Sequence, residues 1–178
     1  MLFPIRTDRL LLRPVTDGDL PRLFVILGDP EVMQLALYER PLAREEARQF
    51  INDDFATAPS DVTHLGVLCR NDDHVVIGFA GLLPCKYYPG DLEFGFVLAT
   101  EHQRKGYASE IGKKLIEVSL AALQRERVLA LCDPRNSASR NVLEKLGMSR
   151  VDEIATPDRG RRTVFEIRRA DAATFGAV

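Results

Sequence analysis

The sequence predicts a single α/β domain of mixed α+β type, a central mixed sheet with flanking helices, over residues 1–178. Three observations predict it. Apolar runs of period two and apolar stripes of period 3.6 follow one another as β-α-α-β-β-β-α-β-α-β-β, which is not a regular βαβ repeat. The runs 62-VTHLGVLCR-70 and 74-HVVIGFAGLL-83 are separated only by 71-NDD-73 and read as a hairpin. No repeat, low-complexity tract or long linker divides the chain, and 178 residues, 46% of them hydrophobic, suit one ordinary core.

The elements follow in order. Residues 8–15, DRLLLRPV, form a strand that enters a turn. Thr16 caps a helix from Asp17 to Leu27, with Asp19 three residues on in a box-like arrangement. Leu20, Leu23, Phe24 and Leu27 make its apolar stripe, and Gly28 ends it. A second helix is expected over 43–55, with Ala47, Phe50 and Ile51 inward. In the hairpin Leu65, Val67 and Cys69 share one face. The loop 84-PCKYYPGD-91 is broken by Pro84, Pro89 and Gly90, and the strand 92-LEFGFVLA-99 follows.

A long helix begins near Tyr107, where Ala108, Ile111, Leu115, Val118 and Ala122 step by three and four. A strand is expected at 127–133. A helix at about 137–146 places Ala138, Val142 and Leu146 on one side, and Gly147 stops it. Residues 148–155 and 161–169 are the last two strands.

Composition narrows the function classes. A formal net charge of -2 argues against bulk nucleic-acid binding, which needs a basic excess. Cys69, Cys85 and Cys132 fit neither a disulfide framework nor a CxxC metal site and read as reduced thiols of a cytoplasmic protein. His64, His74 and His102 lack ligand spacing, so no metal is expected. The opening MLFPIRTDRLLLRP is interrupted by Pro4 and charges, and reads as neither signal peptide nor membrane span. Glu45, Glu46, Asp53 and Asp54 read as a solvated helix face. Tyr87 and Tyr88 either wall a pocket or pack over the hairpin.

The stretch 103-QRKGYA-108 is the candidate for the chemistry, the alternative being a purely structural turn. It lies where a strand hands over to a helix, whose first N–H groups lack partners and favour anions. Gly106 keeps side-chain atoms off the backbone, Ala108 keeps the first turn slim, and Gln103, Arg104 and Lys105 bring donors and charge. A diphosphate is the natural guest, although GxxxxGK[ST] and GxGxxG are both absent.

This pattern resembles the pyrophosphate loop of the GNAT acyl-CoA N-acyltransferases, Q/R-x-x-G-x-G/A, here Gln103, Gly106 and Ala108. Residues 7-TDRLLLRPVTDGDLPRLF-24 resemble the T-x-R-L-x-L-R opening of the RimJ/RimL-type branch. Residues 136-NSASRNVLEKLGM-148 resemble its N-x-x-S-x-x-x-x-E-K-L-G-F segment. The resemblance implies a mixed sheet whose strands 92–99 and 127–133 splay apart, with acetyl-CoA as co-substrate in the gap. Backbone groups of Phe96, Val97 and Leu98 would hold the pantetheine. The amides of 104–109, including those of Tyr107 and Ser109, would take the pyrophosphate.

The implied reaction is acetyl transfer to a primary amine: a small amine, an amino acid or peptide, or a protein N-terminus. The family's habit adds a homodimer, with no nucleic acid and no membrane as partner. The oxyanion needs preorganised donors, here the N–H of Val97 or Leu98. Strand alternation puts Glu93, Gly95 and Val97 on one face. Glu93 is the base candidate, the alternative being an exposed or salt-bridged glutamate. Asn136 caps its helix and is placed to bond pantetheine. Ser139 fills the branch's serine position near the CoA sulfur. Many family members carry a tyrosine acid where this chain has Leu143. That departure leaves open a second reading, a CoA-binding module without catalysis.

Overall fold

The computed structural model describes residues 3–172, which fold around an eight-stranded sheet. Residues 1, 2 and 173–178, part of the expected 1–178 domain, lie outside the described residues. The strands are β1 (Ile5–Arg6), β2 (Leu10–Arg13), β3 (Leu65–Arg70), β4 (Val76–Pro84), β5 (Leu92–Leu98), β6 (Arg127–Cys132), β7 (Ser149–Thr156) and β8 (Gly160–Arg168). Their spatial order is β1-β2-β3-β4-β5-β6-β8-β7. Only β5 and β6 run parallel; the other neighbours are antiparallel. The helices are α1 (Leu20–Gly28), α2 (Pro30–Met33), α3 (Arg44–Asp54), α4 (Tyr107–Glu117), α5 (Ser137–Lys145) and α6 (Arg169–Ala172). The mixed α/β architecture is as the sequence predicts.

Alternation sorts the sheet into two faces. Leu65, Val67 and Cys69 of β3 join Phe79 and Val97 against Leu23, Leu27, Phe50 and Ile51 of α1 and α3. Leu68, Phe94 and Leu98 face the other way, onto Ile111 and Leu115 of α4 and Leu143 and Leu146 of α5. All three cysteines are free and buried. Among the described residues, no helix is long and apolar enough to cross a membrane.

Some local expectations need correction. The first strand stops at Arg13, because Pro14 has no N–H to offer a ladder. The cap at Thr16 is as expected, in a capping box with Asp19, whose carboxylate accepts from Thr16 N and Thr16 Oγ1 and also from both Nη atoms of Arg13. After Glu117 the helix continues as a π-type turn over Val118–Ala122. That wider turn shifts the apolar phase, so Leu120 is buried and Ala122 is exposed. In α5 the residue sealed in the core is Leu143, at 1% exposure, while Ala138 is exposed.

Close packing of β4 on β5 depends on Gly78. A Cβ there would lie 2.1 Å from the carbonyl oxygen of Val97, a backbone atom that cannot rotate away. Gly78→Ala is expected to destabilise the fold by about 1–3 kcal/mol through overpacking, read as a lower midpoint in thermal or urea unfolding.

Candidate functional site

The site begins where the sheet opens. β5 and β6 pair only at Leu92↔Val128 and Glu93↔Leu129. Beyond Glu93 the ladder between them ends, while β5 stays paired with β4 as far as Gly78↔Leu98. Ladder phase then decides which β5 groups face the gap. The bond from Ala99 N to Ile77 O, 3.0 Å, marks Ala99 and Ile77 as a hydrogen-bonded pair. Alternation makes Val97 opposite Phe79 the next such pair. Val97 therefore spends its backbone groups on β4, and those of Phe96 and Leu98 turn to the gap. Gln103 Nε2 donates to Leu98 O at 3.0 Å, as this phase requires. Of the two candidate donors, the geometry favours the N–H of Leu98 over that of Val97.

The chain leaves β5 through a 3-10 turn at Thr100–His102 and enters α4 through two left-handed residues, Arg104 (φ 59°) and Gly106 (φ 81°). Gly106 is the N-cap of α4, so its conformation aims the free amides of the first turn outward. The loop is pinned from β2's leading residues. Arg9 donates from Nη1 to Lys105 O at 3.0 Å and from Nε to Glu110 Oε2 at 2.6 Å. Arg9 N and Thr7 Oγ1 both donate to Glu110 Oε1, at 2.9 and 2.5 Å. Burial pushes the Glu110 carboxyl up, but hydrogen bonds from Thr7 and Arg9 outweigh it and hold the carboxyl below its ordinary value.

A groove of about 540 Å³ runs between this loop and α5. Its near wall includes Leu98, Gln103, Arg104, Gly106, Tyr107 and Ala108, with Ser109 beside them. Its far wall includes Asn136, Ala138, Ser139, Val142 and Lys145. Lys105 departs from expectation: it is exposed and outside the groove wall, its carbonyl engaged by Arg9. Ala138, Val142 and Lys145 share one helical face; the sequence reading grouped the first two with Leu146 on one side of the helix. Asn136 Oδ1 accepts from Ser139 N at 2.9 Å, the expected cap, and Nδ2 donates to Leu35 O at 3.3 Å. Its side chain thus fastens the loop after α2 to α5.

A smaller chamber of about 120 Å³ shares Phe96, Val97, Asn136 and Ser139 with the groove. Gly95 opens its floor, for a Cβ there would meet nothing within 4 Å. Its charged walls are Glu93, Asp133, Arg159 and Arg162. Glu93 is 7% exposed and forked onto Arg159, Nη1–Oε1 3.0 Å and Nη2–Oε2 3.1 Å. Burial works against the Arg159 charge, but the Glu93 hydrogen bonds overcome it and raise its pKa above the ordinary value. Arg162, 2% exposed, donates to Glu39 Oε1 at 3.1 Å and Leu37 O at 3.3 Å, and lies 3.5 Å from Asp133 Oδ2. Hydrogen bonds from Arg135 hold the Asp133 carboxyl well below its usual range. Leu143 also lines the chamber.

Sequence reasoning missed Arg159 and Arg162, which sit in an ordinary basic run, 159-RGRR-162. Only the return of β8 beside β6 brings them to Glu93 and Asp133. The tyrosines divide. Tyr87 donates to Asp158, and its ring centre lies 5.3 Å from Arg159. Tyr88 donates to Asp152 at 2.7 Å, and that bond helps push its hydroxyl up to about 12. Of the acidic cluster, Glu46 pairs with Arg40 and Asp53 accepts from Gln49 at the surface.

Comparison with known proteins places this geometry. An acetyltransferase (GNAT) domain model matches residues 9–149. The chain is 30% identical over 150 residues to the uncharacterized N-acetyltransferase YoaA of Bacillus subtilis, covering 84% of this chain and 85% of that one. Its fold is similar to that of a GNAT-family acetyltransferase from Bacillus anthracis, with TM-score 0.78, 24% identity and 96% and 99% of the two chains covered. It is also similar to that of spermidine N-acetyltransferase from Vibrio cholerae, a structure in complex with CoA and spermine, with TM-score 0.74, 18% identity and 94% and 99% covered.

Arg9 reaches the loop from outside the groove. Arg9→Ala is expected to weaken acetyl-CoA binding about tenfold, the loss of about 1.4 kcal/mol of charge-assisted hydrogen bonding. Calorimetric titration measures this, with the far-UV spectrum unchanged.

Proposed function

Since the chain belongs to the GNAT acetyltransferase family and is an acyl-CoA-dependent N-acyltransferase, we propose that it is a single-domain, RimJ/RimL-type enzyme of the cytoplasm, acetylating a primary amine in a ternary complex with acetyl-CoA. One observation carries the reading: the parted edge of β5 runs straight into the left-handed Gly106 cap of α4, along one groove. An unpaired strand edge suits the amides of pantetheine, and a helix N-terminus suits a diphosphate. The thr-x-arg opening and the Asn136–Met148 segment support the branch.

Acetyl-CoA supplies the activated acyl group; the rest falls to the chain's own residues. The backbone of Phe96 and Leu98 orients the pantetheine. The loop from Arg104 to Ser109 holds the pyrophosphate, with Lys145 joining from α5. The N–H of Leu98 faces the gap in which negative charge develops on the acyl oxygen. Glu93 receives the ammonium of the acceptor and takes its proton. Arg159 is forked onto both carboxylate oxygens, so the acceptor nitrogen reaches Glu93 as that contact lengthens. Ser139 stands where the groove and chamber meet and offers a hydroxyl to the departing sulfur. Leu143 favours a second reading, CoA binding without turnover, because it leaves no phenolic acid at that place.

Free-thiol release from acetyl-CoA across a panel of primary amines decides between the two, and turnover with any amine establishes the enzyme. Gly106→Asp is expected to abolish acetyl-CoA binding while the far-UV spectrum stays intact. Aspartate tolerates the left-handed backbone better than most residues, but its charge repels the diphosphate. Glu93→Gln is expected to lower kcat about 100-fold with little change in acetyl-CoA affinity. Ser139→Ala is expected to slow turnover more than it weakens CoA binding.

A further inference from the structure

The chamber beside the groove is charged but balanced: Glu93 and Asp133 against Arg159 and Arg162. The two pairs differ. Arg162 is tied to Glu39 and to the carbonyls of Ala36 and Leu37 as well as to Asp133, and so belongs to the wall. Arg159 has both Nη atoms on Glu93, with the Tyr87 ring beside it, and comes from the turn between β7 and β8. Its guanidinium therefore occupies the place at Glu93 that a substrate ammonium must take.

A simple amine arriving there would displace Arg159 and leave a guanidinium that is only 16% exposed without its counter-ion, which is costly. A polycation would add further positive charge to a chamber whose acids are already matched. A zwitterion meets neither obstacle. Its ammonium takes Glu93, its carboxylate takes the fork of Arg159, and every buried charge stays paired. Guanidinium is the side chain best shaped for a carboxylate in this way. The open face above Gly95 admits the backbone-like portion of such a molecule.

Resting on the acetyl-transfer reading, we propose that the acceptor is a zwitterionic amine, a free α-amino acid, and that Arg159 is the specificity residue that recognises its carboxylate by exchanging Glu93 for it. The exchange is non-covalent. In the reaction that follows, Glu93 takes one proton from the ammonium, the freed amine nitrogen forms the new C–N bond to the acyl carbon, the thioester C–S bond breaks with its electron pair leaving on the CoA sulfur, and the second proton lost from nitrogen passes to that thiolate to give the free CoA thiol.

The test compares kcat/KM for acetyl-CoA-dependent acetylation across three matched sets: free amino acids, their C-terminal amides, and the corresponding amines lacking the carboxylate. Each amino acid is expected to exceed both of its partners at least tenfold. Arg159→Gln is expected to remove that preference by raising KM for the amino acids, leaving acetyl-CoA affinity within twofold. Equal or better turnover of the amides, as for a peptide N-terminus, overturns the proposal, as does equal or better turnover of the plain amines. Both results leave acetyl transfer standing. Silence with all three sets, while calorimetry shows acetyl-CoA bound, overturns this proposal together with the acetyl-transfer reading. Should the variant not fold, the wild-type ratios alone decide.

Discussion

A sheet that parts in its middle must find partners for the backbone it exposes. That constraint organises this molecule. β5 and β6 share two residue pairs and then separate, so the gap-facing groups of Phe96 and Leu98 lie inside the fold without a neighbouring strand. The protein surrounds them with elements that tolerate a guest. α5 turns Ala138 and Val142 toward the gap, α4 presents its N-terminus at one end, and a balanced set of charges closes the other. Moving β5 and β6 into full register would remove groove and chamber together.

The opening of the chain belongs to this site although it binds nothing in it. Thr7 and Arg9 reach about a hundred residues along the sequence to Glu110, and Arg9 also holds the Lys105 carbonyl. Two left-handed residues so close together are costly to maintain unless their surroundings fix them. The carboxylate of Glu110 gathers three donors from β2's approach, and its lowered pKa reports how well the charged form is satisfied. The T-x-R-L pattern thus has a mechanical reading. It ties the approach to β2 to the loop that caps α4.

The sequence made the local features legible and left the non-local ones hidden. Period and turn chemistry placed the central strands and the start of α4, because hairpins and helix caps are written in neighbouring residues. Gly106 was readable as a loop glycine, and Asn136 as a cap. The pairing of Glu93 with Arg159 was not, since it joins β5 to a turn 66 residues later. A basic run such as 159-RGRR-162 looks like solvated surface until the return of β8 folds it inward. The purpose of the α5 stripe was hidden for a related reason. Ala138 and Val142 form an apolar stripe, and apolar stripes ordinarily mean core; a groove kept open for a ligand uses the same residues. Lys105 was read as a cation for the phosphate; here its side chain is exposed beside the groove wall and its carbonyl is held by Arg9.

Glu93 shows how the two halves of the site constrain each other. A carboxylate at 7% exposure in the middle of a sheet needs a cation. If that cation could never move, an acceptor nitrogen would have no way to the carboxylate, both of whose oxygens the fork occupies. If there were none, a carboxylate in the middle of the sheet would stand without a partner. Arg159 meets both demands because it sits on a turn rather than within a strand, so its contact with Glu93 is the more readily exchanged. Arg162 cannot play this part: it is bound to the Leu37 carbonyl and to Glu39 and lies against Asp133, and releasing it would undo the loop over the chamber. The asymmetry between two buried arginines three residues apart separates a wall from a gate, and it puts the choice of acceptor at Arg159.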